Sequence, residues 1–313
     1  MTRLAPSPTG ALHLGNARTF LMNWAMARRA GWRVVLRVED LDTPRVKPGV
    51  VDLTVDLLGW LGIDWDAGPV VQSGERAHHV AAVGELAGKG LVYPCGLTRR
   101  EVGAAQGAPQ EGDHEVVFPA SLRPAVLPTA FSDVHPAWRF ATPGVEVVFQ
   151  DVFAGEQRVR PARTIGDFVV WTRREPAAAG QAAYQLAVVV DDARAGVTHV
   201  VRGDDLIDSA ARQLLLYRAL GLTPEPVYCH VPLVRGADGR RLAKRHGDTR
   251  LDAYRARGVS AERVVGLCAW WCGITGAPEP MSAAAFLGGF RLDRVPRGDV
   301  TFLPENDAWL LGK

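Results

Sequence analysis

The stretch from Arg3 to Asn16, Arg-Leu-Ala-Pro-Ser-Pro-Thr-Gly-Ala-Leu-His-Leu-Gly-Asn, constrains this chain more than any other. A short apolar start, two prolines that fix the backbone and a glycine that frees it lead into the apolar run Ala17 to Ala30. Proline and glycine in this arrangement mark a tight strand-to-helix connection whose helix N-terminus points out of the turn. A helix N-terminus carries free N–H groups and the positive end of the dipole, so it suits an anion. His13 on that turn can donate to a phosphate oxygen, and Asn16 can donate beside it. Gly15, lacking a Cβ, lets a flat adenine ring lie against the backbone. ATP is therefore expected here, although a lone histidine at such a turn is more often a capping or packing residue.

The remaining pattern is that of an α/β chain. Trp32 to Val38 reads as a buried strand, with Gly31 before it and Glu39-Asp40-Leu41-Asp42 after it. Acidic residues just past a buried strand lie at its carboxyl end, where open α/β sheets bind ligands. Apolar spacing predicts helices over Leu53 to Leu61 and Val80 to Leu86, and the βαβα order predicts a doubly wound parallel sheet of Rossmann type. From Tyr93 to about Ala141 the pattern breaks under Pro109, Pro119, Pro124, Pro128 and Pro136, which predicts a loop-rich insertion. Val145 to Val152 alternates like an exposed strand, while Phe168 to Trp171, Tyr184 to Val190 and His199 to Arg202 read as buried strands. Asp204 or Asp205 is expected to cap a helix running through Arg212 to Leu220, and Val227 to Val234 is the next strand. After Asp248 the chain reads as helical, with Tyr254, Val264, Leu267 and Trp271 as its buried stripe. The expected division is residues 1–94 for the first half of the sheet domain, 95–141 for the insertion, 142–247 for the second half and 248–313 for a C-terminal helical segment.

Composition limits the partners. With 36 basic and 34 acidic residues the net charge is +2, so any nucleic-acid contact must come from a local patch. No apolar run approaches a membrane span and no signal peptide is evident, while Cys95, Cys229, Cys268 and Cys272 do not form a disulfide framework. The expectation is a cytoplasmic protein without a membrane partner, taken as a monomer. Lysine occurs only at positions 47, 89, 244 and 313, so a lysine inside the dense basic segment Arg240-Arg241-Leu242-Ala243-Lys244-Arg245-His246 calls for a chemical reason. When a carboxylate attacks the α-phosphorus of ATP, charge builds on the phosphate and on departing pyrophosphate. Cations fixed there stabilise the transition state more than the ground state. In isolation the segment also fits a solvated basic loop.

Taken together, the two segments resemble the paired signatures of class I aminoacyl-tRNA synthetases of the glutamyl/glutaminyl group. In that group Pro-Ser-Pro-Thr-Gly precedes a His-Ile-Gly-His tetrapeptide; here the tetrapeptide is His13-Leu14-Gly15-Asn16, which departs at its last position. Arg241 to Arg245 is similar to the Lys-Met-Ser-Lys-Ser loop, with Lys244 at the second lysine, Arg241 at the first and Ala243 where serine is usual. The resemblance implies a Rossmann-type catalytic core that uses ATP with Mg2+. It implies catalysis by His13, Asn16 and Lys244, and ATP binding by His13, Gly15, Asn16, Arg241 and Lys244.

Three separated features can converge on a small zwitterion with an extra carboxylate: Arg3, the Glu39 corner, and Tyr184 with Arg202. Arginine meets carboxylate bidentately and a carboxylate takes an ammonium, although each feature alone also fits an ion pair. The resemblance implies that Arg3, Leu4, Ala5, Pro6, Ser7, Glu39, Tyr184 and Arg202 contact L-glutamate, with the two carboxylates not apportioned. An arginine clamp would disfavour glutamine, whose neutral amide leaves the charge poorly paired.

Glutamyl-tRNA synthetases carry a helical anticodon-binding domain after the basic loop, and the roughly seventy residues beyond Lys244 are too few for it. The pattern is similar to the glutamyl-Q tRNA(Asp) synthetase branch. That likeness implies tRNA-independent activation of glutamate to glutamyl-adenylate, then transfer to the queuosine base of tRNA(Asp). The alternatives are a truncated glutamyl- or glutaminyl-tRNA synthetase charging a tRNA 3′ end, a small-molecule adenylating ligase and a non-catalytic regulatory protein of synthetase descent. Family members often bind zinc through Cys-x-Cys after Tyr-Pro, followed by Tyr and Cys. Here Cys95-Gly96-Leu97 has no such partners before Tyr184, so no structural zinc and no other protein-bound metal is expected, although His114, His135 and acidic neighbours could improvise a site. Arg158, Arg160, Arg163, Arg173 and Arg174 are open between phosphate contacts and solvated faces.

Overall fold

The computed structural model describes residues 1–8, 12–41, 46, 49–97, 101–102, 117–173, 178–240, 242 and 248–313. Two sheets form the central layer. In the first, β1 (Thr2–Leu4), β2 (Val34–Val38) and β3 (Ala67–Val71) lie in that order and run parallel. In the second, the order is β10 (His199–Gly203), β11 (Val227–Val231), β6 (Val147–Asp151) and β7 (Gly155–Val159). Here β10, β11 and β6 are parallel and the β6–β7 hairpin is antiparallel. The N–H groups of Thr198 and His199 donate to the Met1 carbonyl at 3.0 and 3.1 Å, which brings β10 alongside β1 and joins the two sheets. Helices α1 (Leu14–Ala30) and α2 (Val50–Trp60) connect the first sheet, and α3 (Arg76–Gly88) follows it. This is the doubly wound α/β core that the βαβα order predicts.

Two strands at the ends of the region read as loop-rich, β4 (Val92–Pro94) and β5 (Ala137–Phe140), join β8 (Phe168–Thr172), already expected as a strand, and β9 (Gln181–Ala182) in a separate antiparallel sheet of the order β4-β5-β8-β9. Buried Asp167 ties its strands together: it accepts from Tyr93 Oη at 2.6 Å, from Arg123 Nε and Nη2 at 2.5 Å each, and from the Thr142 N–H at 2.9 Å. The short helix α4 (Pro161–Thr164) sits between β7 and β8.

Tyr184 to Val190 is not a strand but the start of α5 (Tyr184–Ala195), which ends at Gly196 in the left-handed conformation. Gln185 through Asp192 are all buried, so the helix shows no polar stripe and its run of valines reads like a buried strand. The next helix, α6 (Ile207–Ala219), is capped at Leu206 and not at Asp204 or Asp205, which instead form a single 3₁₀ turn with Leu206 ahead of it.

The C-terminal part is mostly helical: α7 (Leu251–Ala256), α8 (Ala261–Trp271), α9 (Ala283–Gly289) and α10 (Pro304–Leu310). It is interrupted by β13 (Val300–Thr301), which pairs in parallel with β12 (Val234–Arg235). Tyr254, Val264, Leu267 and Trp271 are buried as the stripe requires, in one apolar cluster with Leu14, Leu21 and Phe286. Fully buried Arg18 links these layers, donating to Pro232 O at 2.5 Å and to Trp271 O at 3.3 Å. Among the described residues no helix is long and apolar enough to cross a membrane, and all four cysteines are free and buried.

Candidate active site

The carboxyl ends of β1, β2 and β10 and the N-terminus of α1 enclose a cavity of about 460 Å³. The local sequence builds its front wall. His13 is the N-cap of α1: its Nδ1 accepts from the N–H groups of Gly15 at 3.1 Å and Asn16 at 3.3 Å, while Asn16 Oδ1 accepts the His13 N–H at 3.1 Å. A nitrogen that accepts carries no proton, so the neutral ring holds its proton on Nε2, the tautomer that can donate to an anion. Gly15 is required by this arrangement: a Cβ there would lie 3.0 Å from His13 Cε1 and 3.1 Å from its Nδ1.

The lining brings together Ala5, Pro6, Ser7, His13, Gly15, Asn16, Glu39, Tyr184 and Arg202. It also includes residues that the sequence did not assign to the site: Leu12, Thr19, Phe20, Gly203, Asp205, Leu206, Leu233 and Val234. Arg3 and Leu4 lie behind this wall, 4% and 0% exposed, and the Arg3 Nε faces Asp192 Oδ2 at 3.4 Å. Arg241, Lys244 and their neighbours Ala243, Arg245 and His246 lie outside the described residues, as do Thr9 to Ala11, His114 and Arg174. Both flanks of the basic segment, however, meet the signature turn. Before it, Leu233 and Val234 line the cavity. After it, Leu14 donates to Thr249 O at 3.1 Å and Leu251 donates to Leu12 O at 2.8 Å.

The electrostatics divide the cavity. Glu39, 8% exposed at the end of β2, accepts from Arg37 Nη2 at 3.0 Å, and its N–H donates to Pro6 O at 2.9 Å. Burial pushes its carboxyl above the usual range against the pull of Arg37 and Arg3. Arg37 donates also to Asp192 Oδ1 at 2.5 Å; burial opposes its charge, but Asp192 and Glu39 more than offset that and raise it. On the opposite side Arg202 donates to His230 Nε2 at 3.0 Å, to Gln213 Oε1 at 2.9 Å and to Leu206 O at 3.2 Å, with its guanidinium 5.1 Å from the Tyr228 ring centroid. Tyr184, at the first turn of α5, is 38% exposed in the cavity mouth. The first N–H groups of α1 are not free as the sequence suggested, because Leu14 donates to Thr249 O, Gly15 and Asn16 to His13 Nδ1 and Ala17 to His13 O. A carboxylate on one side, a guanidinium on the other and the His13 and Asn16 side chains at the positive end of the helix dipole between them can hold an acidic zwitterion beside a polyphosphate.

The comparisons agree with this geometry. Residues 1–275 match the family model for the catalytic domain of class I tRNA synthetases (E and Q). The chain belongs to that family. Two relatives named glutamyl-Q tRNA(Asp) synthetase are similar to this class I chain: the Symbiobacterium thermophilum protein is 45% identical, covering 99% of this chain and 98% of its own. The Rhodopirellula baltica protein is 48% identical over 84% of this chain and 82% of its own. A glutamate–tRNA ligase of Parasynechococcus marenigrum is 37% identical over 99% of this chain and 66% of its own. Among solved structures, a glutamate tRNA ligase from Elizabethkingia meningosepticum in complex with its amino acid superposes with a TM-score of 0.78 at 26% identity, over 99% of this chain and 68% of that one.

Elsewhere in this synthetase core three of the candidate nucleic-acid arginines, Arg158, Arg160 and Arg173, have local partners. Arg158 pairs with Glu156 at 2.8 Å and Glu146 at 3.3 Å, and Arg160 pairs with Glu146 at 3.1 Å. Arg173 donates to Ala178 O and Val134 O, while Arg163 is exposed. Cys95 is buried, and His135 packs edge-on against Trp138 at 5.8 Å. Among the described residues no cluster of three His, Cys, Asp or Glu side chains could hold a metal ion.

Proposed function

We propose that the cavity activates L-glutamate with ATP, forming glutamyl-adenylate without tRNA, and passes the glutamyl group to the queuosine base of tRNA(Asp). One observation carries the reading: Arg202 and Glu39 flank the same cavity as the His13 turn, and both ends of the basic segment reach that turn. Arg202 takes a carboxylate of the amino acid and Glu39 its ammonium, with Ser7 and Tyr184 beside them. Arg3 acts from behind, through the charge of the Arg3–Asp192–Arg37–Glu39 cluster. His13 through Nε2–H and Asn16 through its side-chain amide receive the triphosphate, which passes over Gly15 and enters with its Mg2+. Lys244 and Arg241 meet the charge that develops as pyrophosphate leaves.

In the first step a glutamate carboxylate oxygen bonds to the α-phosphorus and the bond to pyrophosphate breaks. In the second, a queuosine hydroxyl attacks the activated carbonyl, an ester forms and AMP leaves. The active unit in this reading is the monomer. Free, buried cysteines fit the cytoplasm, where ATP and tRNA are found. In this reading the insertion is held without zinc; Asp167 already joins β4, Arg123 and Thr142 by hydrogen bonds.

Glutamate-dependent ATP–pyrophosphate exchange in the absence of tRNA tests the first step, run beside glutamine and aspartate. Exchange with glutamate alone is the expected result, and exchange that requires tRNA overturns tRNA-independent activation. Acceptor assays with queuosine-containing and queuosine-free tRNA(Asp) test the second step. Equal charging of both, through the 3′ end, would favour the glutamate–tRNA ligase reading that the Elizabethkingia superposition also accommodates.

A further inference from the structure

We propose that His230 is a positioning residue for Arg202: Asp151 orients its neutral imidazole, and the imidazole aims a guanidinium whose charge stays available to the substrate. The inference rests on the reading that Arg202 meets a substrate carboxylate. Arg202 and His230 stand opposite each other on the parallel strands β10 and β11, and β6 brings Asp151 against β11 at Tyr228. All three side chains are buried, at 5%, 0% and 1% exposure. Guanidinium has donors and no acceptor, so the 3.0 Å contact from Arg202 Nε requires a lone pair on His230 Nε2. The ring proton therefore sits on Nδ1, which donates to Asp151 Oδ2 at 2.7 Å. Asp151 is itself fixed by the N–H groups of His230, Phe153 and Ala154, at 3.1, 3.0 and 2.7 Å.

The choice of acceptors separates Arg202 from the other arginines of this site. Arg3 and Arg37 face the carboxylate of Asp192, and Arg37 also faces Glu39. Arg202 has only neutral acceptors: an imidazole, the Gln213 amide and the Leu206 carbonyl. Among the described residues no carboxylate pairs with it. Three of the five N–H bonds of the guanidinium are thus spent on orientation, leaving one on each terminal nitrogen for the two oxygens of a carboxylate. A carboxylate at position 230 would orient Arg202 equally well but discharge it. An apolar residue there would leave the charge and lose the aim.

The test is the glutamate dependence of ATP–pyrophosphate exchange for Arg202→Ala, His230→Ala, His230→Gln and the Arg202→Ala/His230→Ala double variant. Losing a hydrogen bond to a charged group should lower kcat/KM for glutamate by about 10- to 100-fold in His230→Ala, with KM for ATP within about twofold. Whichever of kcat and KM Arg202→Ala moves, His230→Ala should move the same one. Glutamine restores an acceptor and should recover most of the loss. In the Arg202→Ala background, His230→Ala should add less than about twofold. If the alanine variant does not fold, His230→Leu, which fills the space without an acceptor, takes its place. An unchanged glutamate dependence in Arg202→Ala overturns the parent reading and this one with it. A normal Arg202→Ala effect with an unchanged His230→Ala, an additive double variant, or equal loss toward ATP without glutamine rescue overturns the positioning role alone.

Discussion

Gly15→Ala separates two reasons for a glycine at the signature turn. A Cβ at this position would stand 3.0 Å from His13 Cε1 and 3.1 Å from Nδ1. Ordinary carbon contacts begin near 3.5 Å, so the ring must retreat by about 0.5 Å. The cap bonds from Gly15 and Asn16 to Nδ1 are already 3.1 and 3.3 Å long, and such a shift takes them out of hydrogen-bond range. Losing the cap costs about 1 kcal/mol, while alanine for glycine in a helix returns up to about 1 kcal/mol. The two nearly cancel, so Tm should move by less than about 4 °C. Activity should not be spared: a shift of about 1 Å in a positioned group can cost about 100-fold, and half of that predicts roughly a 10-fold fall in kcat for pyrophosphate exchange. The decisive measurement is the same substitution in a His13→Ala background. With the ring removed, the nearest remaining neighbour of the new Cβ is Val234 Cβ at 3.7 Å, an ordinary contact, so Gly15→Ala should then cost less than about twofold. A full 10-fold penalty in that background would refute the argument and return Gly15 to a role against the bound base.

Lys244→Ala should lower the exchange rate by about 10²–10³, the usual effect of removing one transition-state donor; an unchanged rate would count against its role at the triphosphate. Burial holds the His230 imidazole below its ordinary 6.5 despite Asp151, so in the window just below 6.5 the unfolded chain takes up a proton that the native state refuses. Stability from this group is complete above 6.5 and is lost as pH falls through the lowered value. His199, lowered by burial and the nearby N-terminus, acts in the same window. Thermal unfolding between pH 7.5 and 5 should therefore show a slope that His230→Gln reduces without abolishing, and an unaltered slope would be inconsistent with a neutral His230. Dialysis against a chelator should leave Tm unchanged and metal analysis should find far less than one zinc per chain; a stoichiometric zinc would overturn the metal-free reading of the insertion.

What could be read from the sequence is what its chemistry fixes locally. The turn from Arg3 to Asn16 is specified by its own prolines, glycines and capping residues, and Trp32 to Val38 by a mostly apolar run that Arg33 and Arg37 interrupt, though only Val34 to Val38 enters the sheet and Trp32 stacks on His199 at 3.8 Å. The antiparallel sheet stayed hidden because β4, β5 and β9 have three, four and two residues, too few for alternation to show. Helix α5 stayed hidden because burial on all sides erases the periodicity that would distinguish it from a strand. The deeper limit concerns charge. Arg3 and Arg202 are equivalent in the sequence: each is an arginine on a strand ending at the ligand side. Their difference lies entirely in acceptors supplied from elsewhere, Asp192 for one, and His230, Gln213 and Leu206 O for the other. A guanidinium already facing a carboxylate has little charge left for a ligand. One held by neutral acceptors in a buried wall keeps a desolvated charge that a bound carboxylate can satisfy. Specificity for an acidic substrate is therefore set less by which arginines the cavity contains than by which of them the fold leaves without a counter-charge.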